Sequence, residues 1–245
     1  QLNKLSSIIK PSNFKSILNN RIKKGKLFSE IEIFFDEDGN LGNYIAKGII
    51  QDLEAELISD LILKNSNLSF FADKNDILLK NIFGNLGIIE IKDGDLKINR
   101  DNGTTITSNF NSKFDLDKKI LNEYTKLLNN HEFAKNLERL KANLNNNLYI
   151  ELDSTYKIQN YKYQISGNVE KAQLYLGKSL KNNFINEKIE KIHFSNLKIK
   201  TIFNPKDFRL NGDGKYSLNN SDFLKIDFEN KIKSNLKNLK LDFDF

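Results

Sequence analysis

The stretch FFDEDGNLGNYIAKGIIQDLEAEL, residues 34–57, decides how the rest of the chain is read. Two strand-like runs flank an acidic glycine turn, DEDGN at 36–40, and no catalytic residue type stands beside them. From Leu27 the pattern has a period of two, with Ile31, Ile33 and Phe35 on one side of a strand and Glu30, Glu32 and Phe34 on the other. After the turn, Ile45, Ile49, Leu53, Ala55 and Leu57 read as continuing the alternation, with Gly48 as a bulge or a point of close approach. The unit is a hairpin, apolar on one side.

The same grammar extends outward. NLSFFA, DILLKN, GIIEIK and DLKINR read as further strands, separated by the turn formers DKN, GNL and DGD. Strands resume at NLYIELDS and YKYQISGNV and continue through KIHFSNLKIKTIF, GKYSLNN, FLKIDF and LKNLKLDFDF. Short phrases recur, SNLSF at 66–70, SNLKI at 195–199 and KNLKL at 237–241, which suggests hairpin units added side by side.

Two segments interrupt the strands. PSNFKSILNNRIKKG reads as a short helix, capped by Ser12, with Phe14, Ile17, Leu18 and Ile22 on one face and Gly25 as the stop. In 115–144, Leu121, Tyr124, Leu128, Leu137, Leu140 and Leu144 recur near helical spacing, which predicts an amphipathic helix over 117–144. The expected organisation is a helical segment at 1–26, a first β unit at 27–114, a helical segment at 115–146 and a second β unit at 147–245. The chain starts at Gln1 and stops mid-pattern at LKLDFDF, which reads as an excerpt of a longer protein.

Composition narrows the function classes. The net charge of +6 is spread over 38 basic and 32 acidic residues, without the basic stripe that tracks a phosphate backbone, so nucleic acid is not an expected partner. The cluster RIKKGK at 21–26 would suit an anionic membrane, though such clusters are more often solvated helix ends. With no cysteine there are no disulfides and no thiolate chemistry. No run approaches the roughly 18 to 20 apolar residues of a membrane-spanning helix.

Catalytic constellations are missing as well. His131 and His193 have no second histidine or cysteine at metal-ligand spacing. In DEDGN, Asp36, Asp38 and Asn40 alternate, but Gly39 falls at the fourth place where a calcium loop of the EF-hand type needs its glycine at the sixth. GNLG at 84–87 lacks the third glycine of a dinucleotide loop. The expectation is a protein that is not an enzyme, with no catalytic residue, metal or cofactor.

The order of parts, IKKGKLFSEIEIFF, then GNYIAKGIIQDLEAEL, then LKNSNLSFFADKNDILLKNIFGNLGIIEIKDGDLKI, resembles AsmA-like proteins, particularly the YhdP branch of large bacterial envelope proteins. YKYQISGNVEKAQLYL looks like another such unit. The resemblance covers most of 12–110 and, less closely, 148–245. It departs from the family in having no tryptophan and no N-terminal membrane helix. It implies a mainly β fold, an elongated twisted antiparallel sheet curled into a trough, with the short N-terminal helix and the long amphipathic helix. It also implies a periplasmic location, anchorage to the inner membrane by segments outside this chain, and phospholipid or other lipid acyl chains as partners.

On this reading the lipid-facing residues are Ile31, Ile33, Phe35, Ile49, Leu53, Leu68, Phe70, Ile77, Leu79, Ile89, Ile91, Leu96 and Ile98. The second unit adds Ile192, Phe194, Leu197, Ile199, Leu239, Leu241 and Phe243. The alternative is a closed β-sandwich serving as a structural or interaction module of an envelope protein. A trough would leave these residues open to lipid, and a sandwich would fill the space with its own side chains.

Overall fold

The computed structural model describes residues 20–58, 61–101, 103–125, 136–155, 157–180, 188–218, 221–233 and 236–244. Twelve strands run in chain order: β1 (Ile22–Phe35), β2 (Leu41–Ile58), β3 (Leu61–Ala72), β4 (Asp76–Leu86), β5 (Ile89–Asn99), β6 (Thr104–Asp117), β7 (Leu137–Leu152), β8 (Ile158–Leu180), β9 (Ile189–Phe203), β10 (Asp207–Leu218), β11 (Leu224–Lys233) and β12 (Leu236–Phe243). One short helix, α1 (Lys118–Thr125), lies between β6 and β7. The strands form a single sheet in sequence order, β1 to β12. The pairings from β1 to β5 and from β8 to β12 are antiparallel.

Turn chemistry explains the meander. Four connections begin with an Asp or Asn whose side-chain oxygen accepts backbone N–H bonds from the turn that follows: Asp36 from Asp38 and Asn40, Asp73 from Asn75 and Asp76, Asp153 from Thr155 and Lys157, and Asn204 from Lys206 and Asp207. A carboxylate or amide in that place satisfies donors that the ladder has released, and so fixes the turn. This accounts for DEDGN as a hairpin turn, with Gly39 at φ 79°.

Two helical expectations are corrected. Residues 22–26 are not a helix end: Ile22 pairs with Ala55, Lys24 with Glu54 and Lys26 with Gln51, all in β1. The remainder of that expected helix, up to residue 19, lies outside the described residues. Of the helix expected over 117–144, the described residues are helical at Lys118–Thr125, where the Asp117 carboxylate caps the helix by accepting the Ile120 N–H at 3.0 Å, and are strand from Leu137 onward. Leu137–Leu152 is strand β7, and 126–135 lie outside the described residues, including Leu128 and His131. Leu137 and Leu140 join the same cluster although they are three residues apart, so one break in the strand alternation mimics helical spacing.

Such breaks recur, and they organise the sheet. Among the described residues, five non-glycine residues have a positive φ, Asp52, Asn65, Asn81, Asp93 and Asn196, and all are Asp or Asn within strands. These two residue types tolerate the left-handed conformation best. Register shifts bracket Asp52 in β2, Asn65 in β3, Asn81 in β4 and Asp93 in β5. Each is a β-bulge, which inserts one residue and moves the apolar phase of its strand by one.

The bulges relocate a turn and expose a repeat. DGD at 93–95 is not a turn but the bulge of β5, while GNL at 84–86 lies within β4 and the turn expected there falls at Gly87–Ile88. The hairpin β2–β3 is also repeated by β4–β5. Asp52 and Asn81 are 29 positions apart, and Asn65 and Asp93 are 28 apart. Asp52 N donates to Asn67 Oδ1 at 3.1 Å, and Asn81 N donates to Asp95 Oδ1 at 3.4 Å, in equivalent places.

By contacts the chain forms two compact units, one of residues 1–111 with 147–161 and the other of 112–146 with 162–245. In the first, the core is Leu53, Ala55 and Leu68, with Ile22, Leu27, Ile50, Phe70, Leu79 and Ile82 packed against it. That cluster straddles the bulges. In the second, Leu116, Leu121 and Leu137 form one core cluster. Ala142, Val169 and Leu197 form another, with Phe194 and Phe228 among its partly buried neighbours.

Candidate functional site

Cross-strand partners share a face of a sheet, so the registers assign each predicted residue to a side. In the first unit Leu27 faces Ile50, Ile50 faces Leu68, Phe70 faces Leu79, Leu79 faces Leu96, and Ile77 faces Ile98. Ile31 faces Ala46 and Ile33 faces Tyr44 on that same side, where alternation also places Phe35. Beyond the bulges, Leu53 faces Ser66, Ile82 faces Gly94, Gly84 faces Ile91 and Leu86 faces Ile89. From Leu27 to Ile98 this side carries only Leu, Ile, Phe, Ala, Gly, Ser and Tyr. No charged side chain interrupts it.

Ile49 is the exception among the predicted residues. It pairs with Phe28 and Ser69 and lies on the opposite face, together with Ile45, which pairs with Glu32. The bulge at Asp52 is the reason: counting by twos back from Leu53 reaches Ile49, whereas the extra residue brings Ile50 to the apolar side. Ile50, Ile82 and Leu86 are members of the apolar side that sequence reading misses. The signal is an Asp or Asn inside an apolar strand, at Asp52 and Asn81.

The apolar side of the second unit includes Ile192, Phe194, Leu197 and Ile199, on both sides of the bulge at Asn196. Tyr216 faces Phe194, Gly212 faces both Ile199 and Phe228, and Phe228 faces Leu241. Ile226 faces Phe243, and Leu239 faces Asn230. Predicted residues of this unit therefore share one side.

Small residues stand where the bulges press neighbouring strands together. A methyl group added at Gly94 would sit 2.9 Å from Ile82 Cβ, and one at Gly214 would sit 2.7 Å from the Asn196 carbonyl oxygen. Ser66 holds the equivalent place opposite Leu53 and is fully buried. Its Oγ has no hydrogen-bond partner among the described residues.

Exposure grades outward from the bulges. Phe70, Ile77, Leu79, Ile89, Ile91, Leu96 and Ile98 are half-buried. Ile31, Ile33 and Phe35 on the edge strand β1 are exposed, Phe35 to 66%. Among the described elements there is one sheet and one eight-residue helix, and no second layer that would cover the apolar side of β1–β5.

A buried polar network sits within the apolar side of the second unit. Asn146, 3% exposed, donates through Nδ2 to Ser112 Oγ at 2.9 Å and accepts the Tyr163 hydroxyl at 2.8 Å on Oδ1. Burial pushes the Tyr163 phenol above its ordinary pKa. On the polar side, Glu138 accepts from Lys191 at 2.8 Å, Gln173 at 2.7 Å and Lys118 at 3.4 Å. The bond from Lys191 holds its carboxyl below the ordinary range, against the effect of burial. His193 stands nearby, its pKa lowered first by burial and then by Lys191, while Glu138 pulls the other way. This is an ion cluster on a strand surface, and no group of three or more metal-ligating side chains occurs among the described residues. No described helix is long and apolar enough to cross a membrane.

Compared with known proteins, the chain matches no family model, no curated protein and no solved structure.

Proposed function

We propose that the apolar side of the sheet holds lipid acyl chains, and that the chain is a segment of a cell-envelope lipid transfer protein of the AsmA-like kind, acting in the periplasm without a chemical step. In this reading the bulges curl the sheet toward its apolar side, making a trough in which a fatty chain replaces water. The observation that carries the proposal is the charge-free side of β1–β5, lined from Leu27 to Ile98 by apolar and small residues and left without a second protein layer among the described elements. Each methylene moved from water onto such a surface contributes about 0.8 kcal/mol. A protein that used this side only for its own core would need a second sheet or a helical layer against it.

The test places a carboxylate on that side. Phe70→Asp and Ile91→Asp are half-buried positions from which a charge can still reach water, so each variant is expected to fold with a loss of about 1–3 kcal/mol. Lipids extracted from the purified parent and variants are then counted by mass spectrometry. Folded variants stripped of lipid support the trough. A parent without bound lipid, or variants that aggregate because the charge is sealed into a core, would favour the sandwich instead.

A further inference from the structure

The charge of the chain is not shared evenly. The second unit holds 23 basic and 15 acidic residues and the first holds 15 and 17, so +8 and −2 make up the net +6. On the polar side of the second unit, the registers of β8 to β11 bring together five lysines that are scattered over 171–225 in sequence. Lys171 faces Ser195, Ser195 faces Lys215 and Lys215 faces Lys225, one row across four strands. In the next two rows Lys198 stands between Asn168 and Asp213, and Lys200 between Ser166 and Asn211. All five lysines are exposed. Elsewhere on this side cations are matched: Arg139 by Asp115 at 3.2 Å, Lys141 by Glu170 at 2.7 Å, and Lys118 and Lys191 by Glu138 at 3.4 and 2.8 Å. Among the described residues no ion pair reaches any of the five lysines. Two carboxylates, Asp213 and Asp227, lie in the middle row and face each other. Lys215 directly opposite Lys225 is an unfavourable pairing that an anion would relieve.

We propose that this side of β8–β11 docks on an anionic lipid bilayer, with the five ammonium groups among the phosphate headgroups. The patch is a grid rather than a point. Four strands at a spacing of about 4.8 Å give a row roughly 15 Å long, and the rows lie about 7 Å apart along the strands. A single phosphate cannot span that grid, whereas a layer of headgroups meets all of it. The cations are all lysine, a compact charge on a flexible stem that needs no fixed bidentate geometry. The residues between them, Ser166, Asn168, Ser195 and Asn211, are short and polar, so nothing bulky holds a surface away.

Other polyanions fit less well. No aromatic side chain stands in the three rows for a nucleic-acid base to stack on. Docking through this side leaves the apolar side uninvolved, so it stands or falls apart from the acyl-chain reading. Each lysine near an anionic leaflet is expected to raise the affinity about fivefold. The attraction falls off within about 10 Å at 0.1 M salt, so docking is expected to weaken as salt is raised.

The experiment is co-sedimentation of the intact chain with vesicles of phosphatidylcholine alone and of phosphatidylcholine with about a third phosphatidylglycerol. The parent is expected to bind the anionic vesicles and not the neutral ones. Lys198→Gln and Lys215→Gln are each expected to weaken that binding about fivefold, and the two together about 25-fold. Asp213→Asn removes a carboxylate from the middle row and is expected to tighten it. Lys80→Gln makes the same charge change on the polar side of the first unit, opposite Ser69, and is expected to stay within about twofold of the parent. Far-UV circular dichroism checks the folding of the variants, and Lys200→Gln replaces either lysine variant that fails to fold. A parent that ignores anionic vesicles overturns the proposal, as does an equal loss in Lys80→Gln, which would make net charge rather than this patch responsible. Displacement by inorganic phosphate at constant ionic strength would mark a soluble phosphate as the ligand and overturn the bilayer. Equal binding to neutral vesicles would also overturn it, and would point to the apolar side at work, so failure here is told apart from failure of the acyl-chain reading.

Discussion

Ser66 and Asn146 are both polar, both buried, and both on the apolar side of their units, yet they are held in opposite ways. Ser66 has an Oγ without a partner among the described residues and lies opposite Leu53, in a place that Gly94 fills in the next hairpin. Asn146 is bonded on both sides of its amide, to Ser112 and Tyr163. A buried polar residue can thus be there for its size or for its bonds. Size is what the bulges demand of Ser66, because strands crowd where an extra residue is inserted. Bonds are what Asn146 supplies, since it satisfies two hydroxyls that the apolar surroundings would otherwise strand.

The largest effect is therefore expected at Asn146. Asn146→Ala leaves the buried Ser112 hydroxyl and the half-buried Tyr163 hydroxyl without their partner, at a cost of about 2 kcal/mol. Urea denaturation measures it, and a loss below about 1 kcal/mol would show that the network is dispensable. The same site gives a pH signature. Tyr163 has a raised pKa in the folded state, so its contribution is present below the unfolded tyrosine value of about 10 and is lost as pH rises from there through the folded value. Tyr163→Phe should remove that part of the alkaline loss of stability.

An intermediate effect is expected at the bulges, where the comparison turns on conformation rather than burial. Asn81 has φ 54°, which a β-branched residue adopts only under strain. Asn81→Val is expected to cost somewhat less than Asn146→Ala does, whereas Asn81→Gly should stay within about 0.5 kcal/mol of the parent. Equal losses in the two variants, read from thermal melts, would mean that the asparagine side chain matters and the left-handed backbone does not.

These same bulges explain what can and cannot be read in the sequence. Strand alternation is plain at Ile31 and Ile33, and at Ile77 and Leu79, where the register runs unbroken. Phe194 and Leu197 are legible as one side even though Asn196 intervenes. Counting by twos misplaces Ile49 because Asp52 shifts the phase only through its backbone angle, and residue counting does not see an angle. DGD at 93–95 reads as a turn since Asp and Gly favour turns and bulges for the same conformational reason. The helix expected over 117–144 fails in its last part, 137–144, on a three-residue step between Leu137 and Leu140 that both periodicities can produce. The polar network is illegible, because Ser112, Asn146 and Tyr163 are brought together only by the pairing of β6, β7 and β8.

The smallest effect, and the one with the opposite sign, is expected at Ser66. Its Oγ is buried without a hydrogen bond, and a hydroxyl so placed costs roughly 1–3 kcal/mol in lost solvation. Ser66→Ala keeps the Cβ that fits between Leu53 and Gly84 and removes only the oxygen. The space left is less than a methyl group, which limits any packing loss to a few tenths of a kcal/mol. The net expectation is a gain of about 1 kcal/mol, seen as a higher urea midpoint with an unchanged slope. A larger residue should reverse the sign, because Gly84 already approaches the Ser66 side chain so closely that a methyl on it would lie 3.0 Å from Ser66 Cβ. If Ser66→Ala instead loses stability by an amount approaching that of Asn146→Ala, then the Ser66 hydroxyl is making a bond after all, and the distinction between size and bonding fails at its clearest point.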